Sequence, residues 1–104
     1  MALDQSYHKL WFHSFRPAST SGHRDHIQLK LVSGQNLPSE ISEECETRSV
    51  NPFELLTECS KELFYQYPVG TKFLLKAKLT DRESVGMFFY TSYRWKPISV
   101  EEPN

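Results

Sequence analysis

Between Gly86 and Pro97 the chain reads GMFFYTSYRWKP, five aromatic rings with an arginine and a lysine in twelve positions. Just upstream, KFLLKAKL sets Lys72, Lys76 and Lys78 at even-numbered positions of an alternating segment. Rings that stack on bases and ammonium groups that attract phosphates are what a sheet face needs to bind single-stranded nucleic acid. Lys72, Lys76, Lys78, Tyr90 and Arg94, with Phe88 at the edge of the set, are therefore the candidate binding residues. The competing reading is an ordinary solvent face, where lysine stems cover the rings and the charges discourage edge-to-edge pairing. A net charge of −1 gives the whole chain no general attraction for a polyanion.

Other chemistry is less well supplied. His23 and His26 flank Asp25 in HRDH, and His8 and His13 fall on a neighbouring segment. Imidazole and carboxylate groups that converged would suit zinc or nickel, but the spacing matches none of the usual structural zinc sites, and no metal is assigned. Cys59 falls on the apolar side of an expected helix, where a thiol is inert. Cys45 sits among Glu43, Glu44 and Glu46, whose charges raise a thiol pKa. Two cysteines without CxxC spacing read as free thiols of a reducing compartment. The chain has no GxSxG elbow, no phosphate loop of the GxxxxGK[ST] form and no cofactor fingerprint, so no catalytic residue and no cofactor are assigned.

The first apolar segment, YHKLWFHSF, offers a different use. Tyr7, Trp11 and Phe15 fall on one side of a strand and Leu10 and Phe12 on the other. A domain of 104 residues has little with which to cover both sides, so the first set is a candidate homodimer interface of the aromatic kind that interface centres favour.

These residues must be positioned by a small number of elements. Segment 7–15 and the alternating HIQLKLV (26–32) predict two paired strands separated by a Ser/Thr/Gly loop. Residues 33–50 are polar and glutamate-rich, with a short helical turn expected from Ser39. In NPFELLTECSKELFYQYPVG, Asn51 is a good N-cap, Pro52 suits the first helical position and Glu54 completes a capping-box-like arrangement. With Leu56, Cys59, Leu63 and Phe64 at helical spacing, this predicts a helix over about 52–66 that packs on the sheet. The segment 71–95 predicts a hairpin centred near Ser84, with Leu79 opposite Phe89 and Phe73 opposite Trp95. Phe73, Leu75, Ala77 and Leu79 would then face inward with Phe89, Thr91, Tyr93 and Trp95. Phe88, Tyr90, Ser92 and Arg94 would share the outer face with the lysines, and a one-residue register slip would exchange the two sets. A short further strand is expected at 98–100.

The segment 67–97, through PVGTKF, AKLTDR and the spaced FFY, SY, W and P that follow, resembles small bacterial proteins encoded on mobile integron gene cassettes. The resemblance implies a cytoplasmic protein with an accessory or adaptive role and supplies no catalytic residue. The residues themselves predict a single α+β domain over 1–104, a curved antiparallel sheet or small open barrel in β-β-α-β-β order. No run of about 18 apolar residues offers a membrane span, and the N-terminus lacks the features of a secretory signal, so a cytoplasmic protein with no membrane partner is expected. Charge is divided along the chain: residues 1–33 carry +2, residues 34–67 carry −5 and residues 68–104 carry +2. The reading is a non-enzymatic binding protein with single-stranded nucleic acid as leading ligand. A homo-oligomeric interaction protein, and a small enzyme or small-molecule binder with an unrecognised pocket, are the alternatives.

Overall fold

The computed structural model describes residues 5–16, 27–82, 86–92 and 94–103. The chain is an α+β protein whose described residues form a six-stranded, mostly antiparallel open sheet. Its strands are β1 (His8–Phe15), β2 (Gln28–Leu31), β3 (Thr57–Glu58), β4 (Lys72–Arg82), β5 (Gly86–Tyr90) and β6 (Ser99–Glu101). Two helices, α1 (Ser39–Thr47) and α2 (Glu62–Gln66), lie between β2 and β4 in sequence.

The sheet is organised by β4, which is long enough to serve several partners. Its first half pairs with β1 from Lys72 opposite His13 to Ala77 opposite His8. Its second half pairs with β5, and Leu79 lies opposite Phe89 as a hairpin centred near Ser84 predicts. The other edge of its first half takes β6, with Phe73 opposite Val100. β5 and β6 share one edge of β4: the Leu74 carbonyl accepts the Ile98 N–H at 2.8 Å and the Lys76 carbonyl accepts the Thr91 hydroxyl at 2.6 Å. They thus run along β4 as one strand interrupted by a protruding loop, with β3 beyond β5. Eight residues, 91–98, span a stretch that β4 crosses in three, 75–77.

One face of this sheet carries the core. Leu10, Phe12, Leu29, Leu31, Phe73, Leu75, Ala77, Leu79 and Phe89 alternate onto it and are buried, with Phe12 and Phe89 edge to face at 5.7 Å. Ile41 and Cys45, one turn apart on α1, complete it from above together with Leu63 of α2. At its N-terminal end α1 is tied to β1, because the Glu40 carboxylate takes the Ser6 N–H at 3.0 Å and His8 Nε2 at 2.9 Å. At its other end Arg48 bridges Glu44 and Asp81 of β4.

Two sequence expectations are corrected. The single helix over 52–66 is instead a 3-10 turn at Pro52–Glu54, the strand β3 and the five-residue α2. Asn51 does cap the turn, accepting the Phe53 N–H at 3.0 Å, but Leu55 becomes extended and the chain turns to pair with β5 in parallel. The Leu56 and Glu58 carbonyls there accept the Phe89 and Thr91 N–H groups, so a sheet edge that would have been left open outweighs local helical preference. The longer of the two helices between β2 and β4 is α1, at Ser39–Thr47, where only a turn was expected. Likewise, the second hairpin strand ends at Tyr90 rather than continuing to Trp95, since the Thr91 hydroxyl occupies the Lys76 carbonyl that would have carried on the ladder. Phe73 consequently faces Val100, and Trp95 is 42 % exposed rather than inward. Tyr93, expected inward, lies outside the described residues.

Candidate nucleic-acid interface

The sheet face opposite the core is built from the other half of each alternation. Lys9 of β1 lies opposite Lys76 of β4, Trp11 opposite Leu74, and His13 between Lys72 of β4 and Lys30 of β2. Lys78 extends the row and faces Tyr90 on β5. Like charges directly opposite one another are destabilising in a sheet. Even so, among the described residues none of these five lysines joins an ion pair, the pairs present being His8–Glu40 and those of Arg48.

Aromatic rings fill the spaces between the ammonium groups. Lys76 Nζ lies 5.4 Å from the Trp95 ring centroid, Lys78 Nζ 5.1 Å from Tyr7 and Lys30 Nζ 4.5 Å from Phe15. Tyr7 and Trp95 meet edge to face at 4.9 Å. The two rings come from opposite ends of the sequence and join only because the protruding loop turns Trp95 onto this face. Within that loop the Trp95 N–H donates to the Ser92 carbonyl and the Arg94 N–H to the Ser92 hydroxyl, a local turn that fixes the ring's approach.

The fold thus merges two candidate sets that the sequence kept apart. Lys72, Lys76, Lys78 and Tyr90 share one surface with Tyr7, Trp11 and Phe15. Arg94 stands exposed in the adjoining loop. Phe88 departs from expectation: it alternates onto this face opposite Thr80 but is buried, at 7 % exposure, and offers no ring to a ligand. Lys9, Lys30, His13 and Trp95 were missed. The alternation of β1 and β2 already placed the first three, whereas nothing local marks Trp95.

Charge is segregated between the two sides. Helix α1 carries Glu40, Glu43, Glu44 and Glu46 on the opposite side of the sheet from the lysine rows. Glu101, opposite Lys72, and Glu58, opposite Tyr90, bring carboxylates to the rim of the basic face. Partial burial, then the charges of Lys30 and Lys72, hold the His13 imidazole below its ordinary value of 6.5, so it is neutral at neutral pH.

Among the described residues the remaining reactive groups do not assemble. His8 points to the α1 side and His13 to the lysine side, so these two do not converge, while His23 and His26 lie outside the described residues. Among the described residues no group of three or more His, Cys, Asp or Glu is placed to hold a metal ion. Burial, aided by Glu58, pushes the Cys59 thiol up to about 12, and burial with Glu44 raises that of Cys45, leaving both poor nucleophiles. No helix among the described residues is long and apolar enough to cross a membrane.

No family model, no curated protein and no solved structure matches this chain. The resemblance of segment 67–97 rests on its own motif alone.

Proposed function

We propose that this protein binds single-stranded nucleic acid across the lysine-rich face of its sheet. The observation that carries the reading is the lysine row, Lys9, Lys30, Lys72, Lys76 and Lys78, in which no lysine joins an ion pair among the described residues, interleaved with the rings of Tyr7, Trp11, Phe15 and Trp95. An open sheet face suits splayed bases, and a phosphate backbone relieves the repulsion that the Lys9–Lys76 pairing builds into the free protein. Self-association through Tyr7, Trp11 and Phe15 is the weaker reading, because a two-fold axis on this face would bring the same lysines of two copies together.

Fluorescence anisotropy with labelled single-stranded DNA and RNA tests the reading. Engagement of the lysine row gives a log–log salt slope of about −2 to −4, with less than one counterion released per phosphate on a single strand. Trp95→Ala weakens affinity by about 1–3 kcal/mol, the range for loss of one stacked base. Lys76→Ala lowers the salt slope by about 0.7, one contact's share on a single strand. Absence of binding at low salt, or binding indifferent to both substitutions, refutes the proposal. Sedimentation velocity of the same samples separates a protein–strand complex from a dimer of the protein.

A further inference from the structure

Where the protruding loop meets α2, the edge of the sheet opens into a cleft of about 470 Å³, within the range of small-molecule sites. Its chemistry is mixed in an informative way. Trp95 and Tyr67 supply aromatic walls, Arg94 and Lys96 supply cations, and Gln66 and Glu62 of α2 supply an amide and a carboxylate. The Tyr67 ring is fixed by an edge-to-face contact with Phe73 of the core at 5.4 Å, so that wall is rigid. Trp95 belongs to both surfaces, since it lines the cleft and stands beside Lys76 and Tyr7 on the lysine face.

Aromatic walls accept a base, guanidinium and ammonium groups accept a phosphate, and an amide with a carboxylate can accept from the exocyclic amine of cytosine or adenine. We infer that this cleft holds one nucleotide of the bound strand, turned out of the row at Trp95, with its base between Tyr67 and Trp95 and its phosphate at Lys96 and Arg94. The inference rests on the proposed function, because it takes the lysine face as the path by which the strand reaches the cleft. It adds a selective position to an otherwise sequence-tolerant surface: the carboxylate of Glu62, an acceptor only, favours a base with an exocyclic amine over uracil or thymine, and the Gln66 amide adds a second hydrogen bond.

Isotope-labelled protein is titrated with oligo(dC) and oligo(dT), and separately with cytidine and uridine 5′-monophosphates, with amide shifts followed by NMR. The expected result is that oligo(dC) moves the amides of Gln66, Tyr67 and Lys96 together with those of the lysine face, and that cytidine monophosphate moves the cleft amides alone. Gln66→Ala and Lys96→Ala, both at exposed positions, weaken monophosphate binding by about fivefold or more, the lower bound for loss of a specific base or charged contact. Oligonucleotide shifts confined to the lysine face overturn the inference and leave the proposed function standing. Shifts at neither surface overturn both. Equal response of the cleft to cytidine and uridine monophosphates overturns the base preference.

Discussion

His13 shows how single residues on the lysine face answer to their surroundings. Its imidazole sits between Lys30 and Lys72, and partial burial followed by those two charges lowers its pKa. The unfolded chain, with the ordinary value of 6.5, takes up a proton there before the folded protein does. Protonation therefore favours unfolding, and this residue's share of stability is lost as pH falls through 6.5 toward the lower folded value. A phosphate on the face reverses the balance by stabilising the charged ring, so binding takes up a proton and tightens as pH falls. Affinity for single-stranded DNA is accordingly higher at about pH 5.5 than at about pH 7.5, on either side of the ordinary imidazole value, and His13→Asn reduces the difference. Anisotropy titrations at the two pH values check this. His13 was legible in the sequence as a possible metal ligand but not as part of this surface. A residue's face follows from its strand's period, whereas its neighbours follow from the register of β2 and β4.

At the scale of elements, the strands were the legible part. Alternation from Lys72 to Leu79, broken only at Leu74, marked the core face of β4, because a slip by one residue would have buried lysines, and a turn near Ser84 set Leu79 opposite Phe89. The interval 51–66 misled because an N-cap, a proline and four apolar positions satisfy a helix locally, while the backbone groups of β5 that need a partner lie far along the chain. Helix α1 was nearly invisible since Ile41 and Cys45 are its sole buried positions. A third device carries no sequence signature. Where β2 ends, the Gln35 side chain replaces a strand residue: its Oε1 accepts the Trp11 N–H at 3.1 Å, and its Nε2 donates to the Trp11 carbonyl at 2.7 Å and the Val32 carbonyl at 2.9 Å. The Trp11 carbonyl also takes the Val32 N–H at 3.0 Å, so Gln35→Ala leaves the Trp11 N–H and the Val32 carbonyl to water or to nothing and costs roughly 1–3 kcal/mol. Urea denaturation shows this as a lowered midpoint; an unchanged midpoint would mean that water substitutes fully.

The whole molecule is close to electrically neutral and strongly lopsided. Its net charge of −1 conceals a basic sheet face backed by the glutamates of α1 and separated from them by the apolar core. The division was visible along the sequence as basic flanks around an acidic middle. That it becomes two opposite sides of one body depends on β1 and β4 being neighbours, which the alternation of each strand does not reveal. Retention on charged matrices follows local patches more than net charge. Near neutral pH and at low salt the protein is expected to bind both a phosphate-bearing cation exchanger and an anion exchanger. Lys9→Glu combined with Lys76→Glu abolishes retention on the first and strengthens it on the second. Column elution positions check the prediction, and equal loss on both matrices would point to unfolding instead.

The interruption between β5 and β6 has a consequence for how this protein could be altered. Each flanking strand has its own register on β4, so the length of the loop is uncoupled from the alignment of the sheet. Closing a longer connection costs little, about 0.6 kcal/mol for each doubling. Segment 92–97 is therefore an exchangeable cassette in the engineering sense. Libraries that vary its length and composition around Trp95 can search for new ligand preferences, while β4 continues to hold both ends in place.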